Sequence, residues 1–334
     1  MIKNCITECI GNTPVIKVSN ELIPPNKELF IKLEYFNPNF SIKDRTAFGL
    51  VKRAIEKNIL QPGSTLIEST SGNLGKSLSM LGAIYNFRVI IVIDPKVSNT
   101  MVNWYKAYGA EVIMVDQPDE NGGYQQARIK KVKELLQTIP GGYWPNQYDN
   151  LDNFYYHYEF TANEILEVSA ESIIGAISTG GHFSGISRRI NEINSDIKTI
   201  AVDVKGSAVF NQPFSPYKLN GVGLSWRSEN TKPEEFDDVY IISDEHAISV
   251  CHYFSKKHGI LLGGSGGLVV AAAIAELRNN NSTSALAIIP DTGTNYLDQY
   301  YDKTWLEENN ITISDEKGLA MTLDNTTPLN KQLI

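Results

Sequence analysis

Two α/β lobes, each a mainly parallel sheet flanked by helices, are predicted by three observations on the 334-residue sequence. Short apolar runs alternate with helical stretches over most of the length. The runs fall into two series. Loops rich in hydroxyls and glycine join runs to helices at matching places in both series.

In the first series the predicted strands are "LFIKLE", "STLIES", "RVIIVI" and "AEVIMV", with helices such as "RTAFGLVKRAIEKN" and "TMVNWYKAYG" between them. The second comprises "SIIGAIS", "KTIAVDV", "DVYIIS" and "ALAIIP". The aromatic and polar segment "GGYWPNQYDNLDNFYYHY" lies between the series and carries the crossing from one lobe to the other. From about Ser314 the periodicity is mixed, which predicts a loosely docked tail.

Composition narrows the function classes. Hydrophobic content of 42% and charged content of 20% are those of a soluble globular chain. A net charge of -8 and a pI near 5.3 argue against nucleic acid as a partner. An anionic small molecule would therefore need local donors, acting against the field of the whole protein. The start "MIKNCITECIGNTPV" lacks the pattern of a signal peptide, and "VIIVI" and "LVVAAAIA" are too short to span a membrane. Cys5, Cys9 and Cys251 form neither a disulfide framework nor a zinc spacing, and no metal site is predicted. Free thiols in a cytoplasmic protein are the expectation.

Four loops carry the candidate chemistry. In "LIESTSGNLGKSLSML" a strand end passes through Ser69, Thr70, Ser71, Gly72 and Asn73 into a helix. Such a start is either an anion site, with free N–H donors at the positive end of a helix, or an ordinary side-chain cap. A second loop repeats the logic: Ser178, Thr179, Gly180, Gly181 and His182 follow "SIIGAI" and open another helix, without the Gly-Lys-Ser/Thr ending of a Walker loop or the dinucleotide fingerprint. Two such loops favour a ligand held between the lobes. Lys43, in "FSIKDRTAFGL", is either a solvated base or an amine that forms a Schiff base with pyridoxal phosphate. In "GGSGG" the glycines Gly263 and Gly264 permit close packing, or Ser265 meets a heteroatom of a buried ligand.

In this order the motifs resemble the fold type II pyridoxal phosphate enzymes of the cysteine synthase and cystathionine β-synthase group, which share the tryptophan synthase β-like architecture. The resemblance rests on "GNTPV" at 11–15, "KLEYFNP" at 32–38, "SIKDR" at 41–45, "STSGNLG" at 69–75, "GGSGG" at 263–267 and "PDTG" at 290–293, and covers roughly residues 8–305. It implies a smaller substrate-binding lobe at 45–148, a larger cofactor-binding lobe from 1–44 and 149–313, a tail at 314–334, and a homodimer. Within the group, the chain is most similar to the N-(2-amino-2-carboxyethyl)-L-glutamate synthases, which feed 2,3-diaminopropionate into siderophores. That likeness lies in Leu74, where cysteine synthases usually have threonine, and in "DENGGYQQARIKKVKELL", "YWPNQY", "AVDVKGS" and "YLDQYYDKTWLE".

Carried over by position, the resemblance implies that Lys43 holds pyridoxal phosphate and serves as general base. Asn73 would bond its ring oxygen, Ser178, Thr179, Gly180, Gly181 and His182 would wrap its phosphate, and Ser265 would face its pyridine nitrogen. Thr70, Ser71, Asn73 and Gln147 would clasp a substrate carboxylate. β-Replacement through an aminoacrylate follows, with O-phospho-L-serine and L-glutamate as substrates in the closer family. Arg128 is the candidate cation for these anions, with Tyr148 and Ser207 as polar neighbours; the alternative for Arg128 is a charge on a helix surface. Departures from the group's pattern include Asn39 and Phe40 before the lysine, with Phe40 expected to narrow the approach to it, His182 in place of a small hydroxyl residue, and Trp226 with Arg227 as candidates for the second-substrate pocket. The rivals are cysteine synthase, using O-acetylserine or phosphoserine with sulfide, and a non-catalytic scaffold.

Overall fold

The computed structural model describes residues 2–119 and 123–330; residues 120–122 of the "DENGGYQQ" motif and the last four residues lie outside the described set. Ten strands form two sheets: Val15–Val18 (β1), Glu28–Leu33 (β2), Thr65–Ser69 (β3), Arg88–Ile93 (β4), Glu111–Met114 (β5), Gly142–Tyr143 (β6), Ser172–Ala176 (β7), Lys198–Val204 (β8), Asp238–Ile242 (β9) and Ser284–Ile289 (β10). The larger sheet runs β1-β2-β10-β7-β8-β9 and the smaller β5-β4-β3-β6. Every neighbouring pair is parallel except β1 with β2. The first-series run "LFIKLE" therefore belongs to the larger sheet. The chain begins there, crosses to the smaller sheet at β3, and returns through the aromatic segment after β6.

Strands covered on both faces read as largely apolar runs, as β7 and β10 do, with every residue buried; β3 is buried throughout as well but carries Thr65, Glu68 and Ser69. The helix Gly264–Asn279 fills the same role within its lobe. It is buried from Gly264 through Leu277 and packs on β10 and on the helix Asp244–His258. Among the described residues no helix is long and apolar enough to cross a membrane.

A buried ionic cluster fixes the start of the helix Lys43–Glu56. Arg45 donates to both oxygens of Glu34 at 2.6 and 3.0 Å and to both oxygens of Glu164 at 2.6 and 2.7 Å, and Lys32 reaches Glu164 at 2.8 Å. Removing one partner from such a cluster leaves a buried charge without compensation. The cluster ties β2 and the helix Ala162–Leu166 to a point two residues from Lys43.

The tail is docked more firmly than its periodicity suggests. Asp315 caps the helix Glu316–Asp324 by accepting from the Gly318 N–H at 2.8 Å, and Leu319 and Leu323 are buried in the main core. Arg278 grips the Asp324 carboxylate with two N–H donors at 2.7 and 2.9 Å. Two leucines one turn apart are too short a pattern to register as an amphipathic helix, although they suffice to anchor one. Leu323→Ala is expected to lower unfolding free energy by about 2–5 kcal/mol in urea titration. An unchanged midpoint would place this helix outside the cooperative core.

Candidate functional site

Parallel strands deliver their carboxyl ends to one edge, where ligands of open α/β sheets bind. Here the ends of β3, β4, β7 and β10 open onto one cleft between the two sheets. Lys43 reaches it from the first residue of its helix, which is pinned to β10 by the Ile42 N–H donating to Pro290 O at 2.8 Å. Burial lowers the Lys43 pKa to about 8, and Asp291 opposes that shift. A lysine held there is neutral far more often than one in water, as a nucleophilic amine or a proton acceptor must be.

On the larger-sheet side, Ser178, Thr179 and His182 line the cleft, and Gly180 and Gly181 lie between the last two in the chain. Gly180 has φ +79°, and a Cβ on it would lie 2.2 Å from Thr231 Oγ1; one on Gly181 would lie 2.4 Å from the Asn153 side chain. Only glycine allows this loop to close so tightly. The helix Gly181–Ile193 that follows has no side-chain cap, so its first N–H groups are left to the cleft. His182 is buried, its Nε2 has no partner, and burial followed by the nearby Lys43 charge pushes its pKa down to about 3. Ser265 lies in the first turn of the helix Gly264–Asn279, which is likewise uncapped.

The opposite wall settles what the opening loop is locally. The helix Asn73–Tyr85 begins at Gly72 with no side-chain cap, so Thr70, Ser71 and Asn73 are free of the capping role. All three line the cleft, with Gln147 facing them from the crossing segment. Gln147 is held by its backbone, whose carbonyl accepts from Asn153 and Asn230 at 2.9 and 3.0 Å. Asn73 donates to Asp291 Oδ2 at 2.8 Å. Below the loop, Glu68 is buried, which raises its pKa to about 7 against bonds from Trp144 and the Ser69 N–H.

Arg128 is not on a helix surface. It is 4% exposed, lines the cleft, and lies 2.9 Å from Asp94, yet its Nε and Nη1 make no well-aligned hydrogen bond. Tyr148 lines the cleft and packs at a tilt of 46° against Trp226, with ring centres 5.3 Å apart. Ser207 does not reach it: its hydroxyl donates to Leu224 O at 3.3 Å and accepts from the Val209 and Leu224 N–H groups. A serine that caps its own turn is spent locally, which is why residue type alone misplaces it. Nor do Phe40, Trp226 and Arg227 line the cleft; Phe40 packs edge-on against Trp104, and Arg227 donates to Val209 O at 2.7 Å.

Among the lining residues without a predicted role are Asp291, Lys96, Asn295 and Tyr296. Asp291 accepts from Tyr296 at 2.7 Å, and its Oδ1 has no partner. Its place directly after a buried strand, in a Pro-Asp-Thr-Gly loop, is the signal that marks it. Lys96 carries the weaker signal of a loop after β4.

The family profile described as "Pyridoxal-phosphate dependent enzyme" matches residues 6–291. Among solved structures, the chain is 30% identical to a cysteine synthase from Entamoeba histolytica, covering 97% of this chain and 95% of that one with a TM-score of 0.86. It is 32% identical to an O-acetylserine dependent cystathionine β-synthase from Helicobacter pylori, covering 90% and 98% with a TM-score of 0.83. An O-ureido-L-serine synthase is similar at 27% identity, 96% and 100% coverage, and a TM-score of 0.83. The residues present fit this cofactor: an amine with its pKa lowered by burial, a helix start whose glycine carries no side-chain cap, and a lining histidine, His182, whose buried Nε2 has no partner.

Capture of pyridoxal phosphate by the cofactor-free protein, fixed with borohydride and located by mass, is expected at Lys43 with a rate that rises through pH 8 and then levels. Below that pH the amine is protonated and cannot attack. A half-point near the ordinary lysine value of 10.5 would show the amine to be unperturbed.

Proposed function

The chain belongs to the pyridoxal-phosphate dependent enzymes, and from that premise we propose that it replaces the phosphate of O-phospho-L-serine with the amine of L-glutamate, yielding N-(2-amino-2-carboxyethyl)-L-glutamate and phosphate. The observation that carries this choice is Arg128, a buried guanidinium on the cleft wall with N–H donors not aligned on Asp94. A guanidinium fork suits phosphate or carboxylate, and an acidic protein needs a local cation to draw in two anionic substrates. Lys96 on the same wall adds a second positive charge.

Bound pyridoxal phosphate supplies an electron sink that stabilises charge at the substrate α-carbon. Lys43 takes the α-proton on Nζ and returns one to the α-carbon after the exchange. Between these events the β-carbon loses its C–O bond, phosphate leaving with the electron pair, and gains a C–N bond as the glutamate amine gives up a proton. Thr70, Ser71 and the free N–H groups of the helix Asn73–Tyr85 hold the substrate α-carboxylate, which fixes the Cα–H bond relative to Lys43. Gln147 closes that grip from the other side. Ser178, Thr179, His182 and the first N–H groups of the helix Gly181–Ile193 would hold the cofactor phosphate, and Ser265 would offer a hydroxyl to the ring nitrogen.

The similarity to an enzyme named as a cysteine synthase supports a second reading, in which sulfide is the nucleophile. The two are separated by offering purified protein and cofactor O-phospho-L-serine, glutamate and sulfide together. A product with the mass of the glutamate adduct is expected; cysteine alone would move the assignment to sulfide. Arg128→Lys keeps a charge beside Asp94 but loses the fork. It is expected to raise KM for phosphoserine or glutamate roughly tenfold and to leave KM for O-acetyl-L-serine unchanged. Equal loss for all substrates would make Arg128 structural.

A further inference from the structure

Lys76 is the one charged residue of the helix Asn73–Tyr85, and it is fully buried. Its ammonium lies 4.5 Å over the ring of Trp104 and 3.4 Å from Asn295 Oδ1, and among the described residues no carboxylate is in ion-pair contact with it. A buried cation without an ion pair is costly, and nothing in the packing of this helix requires one.

Its contacts continue in one direction. Asn295 Nδ2 donates to Asn73 Oδ1 at 3.3 Å, and Asn73 Nδ2 donates to Asp291 Oδ2 at 2.8 Å, where Tyr296 also donates at 2.7 Å. An ammonium can only donate and an ionised carboxylate can only accept. With Lys76 at one end, Asn295 must turn its oxygen to the lysine and its NH2 group to Asn73. Asn73 must then turn its oxygen to Asn295 and its NH2 group to Asp291. Neither amide can flip without placing two donors or two acceptors face to face. The second N–H of Asn73 has no other partner among the described residues, and the residue lines the cleft beside Lys43.

We propose that Lys76 is a positioning residue which, through Asn295, locks the Asn73 amide with an N–H donor turned to the cofactor. The lock deepens the functional reading above, since it rests on Asn73 facing bound pyridoxal phosphate. A fixed donor beside the ring oxygen draws charge onto that oxygen, so the relay sets cofactor affinity and the balance of its absorption bands, not only turnover. Lys76 itself stays behind the cleft wall and does not touch substrate.

The test measures the dissociation constant of pyridoxal phosphate and the ratio of long- to short-wavelength absorption bands in the loaded protein, with thermal unfolding as a control for folding. Lys76→Met and Asn295→Ala are each expected to weaken cofactor binding roughly three- to tenfold and to shift the band ratio the same way. The double variant is expected to lose no more than the worse single one, because both changes break one chain. Unchanged affinity and bands in both singles, or effects that multiply, would overturn the relay. If Lys76→Met does not fold, the half-buried Asn295 still decides by its own change, since its removal cuts the chain while leaving the lysine in place. Asn73→Ala separates the two levels: no effect on binding or bands would remove Asn73 from the cofactor site, whereas an effect in Asn73→Ala but in neither remote variant would refute the relay alone.

Discussion

Helix starts without caps are the constraint on which the site depends. Three helices, beginning at Asn73, Gly181 and Gly264, start beside the cleft with no side chain satisfying their first N–H groups, whereas the first N–H of the helix at Lys43 donates to Ser41 Oγ at 3.2 Å. The parallel order of the sheets brings the starts at Asn73 and Gly181 to one edge, since β3 and β7 each hand the chain to a helix there, while the helix Gly264–Asn279 reaches it from the preceding helix Asp244–His258. Ser98, which also lines the cleft, and Ser243, Asp302 and Asp315 cap the helices they precede. The three uncapped starts have glycine at that position instead, which leaves their first donors without a side-chain partner. Backbone donors, together with Arg128 and Lys96 on the lining, thus give an acidic chain a cleft suited to anions.

Within that frame Arg128 and Asp291 are buried, Lys43 is partly buried and Lys96 is exposed. Burial works in opposite directions on neighbouring groups: Lys43 is held closer to neutrality, while Asp291 is pushed up against bonds from Tyr296 and Asn73 and the charges of Lys76 and Lys43. The same low-polarity surroundings that make an amine reactive also make each unpaired contact expensive. The relay from Lys76 to Asp291 and the cluster around Arg45 flank the Lys43 turn from two sides. One orients a neighbour of the amine, and the other prevents its helix from shifting.

Much of this architecture is legible in the amino-acid sequence, because buried parallel strands are largely apolar runs and the loops that follow them are unusually small and polar. Lys43, the Thr70–Asn73 loop, Gln147, Ser178, Thr179 and His182 line the cleft for that reason. Side-chain roles set by distant packing are not legible. Ser207 is consumed by the backbone of its own turn, Arg128 is drawn beneath the surface by Asp94, and Lys76 is buried because Trp104 and the 293–296 turn close over a helix whose other residues are uncharged. β6 escapes notice because two residues carry no pattern, and β1 because Lys17 interrupts a short run of which only Val18 is fully buried. The docked tail helix escapes for a similar reason, having two anchors and no third.

The larger sheet is assembled from both ends of the chain. β2, at residues 28–33, lies between β1 and β10, and β10 begins only at Ser284. The smaller sheet draws all of its strands from residues 65–143. During synthesis its four strands can pair as soon as that stretch has emerged. β2 and the Lys43 turn beside it wait, with apolar edges exposed, for a partner some 250 residues later. The segment that carries the reactive amine is thus among the first made and among the last to be locked in place, so a ribosome-bound nascent chain holds Lys43 long before it holds a site.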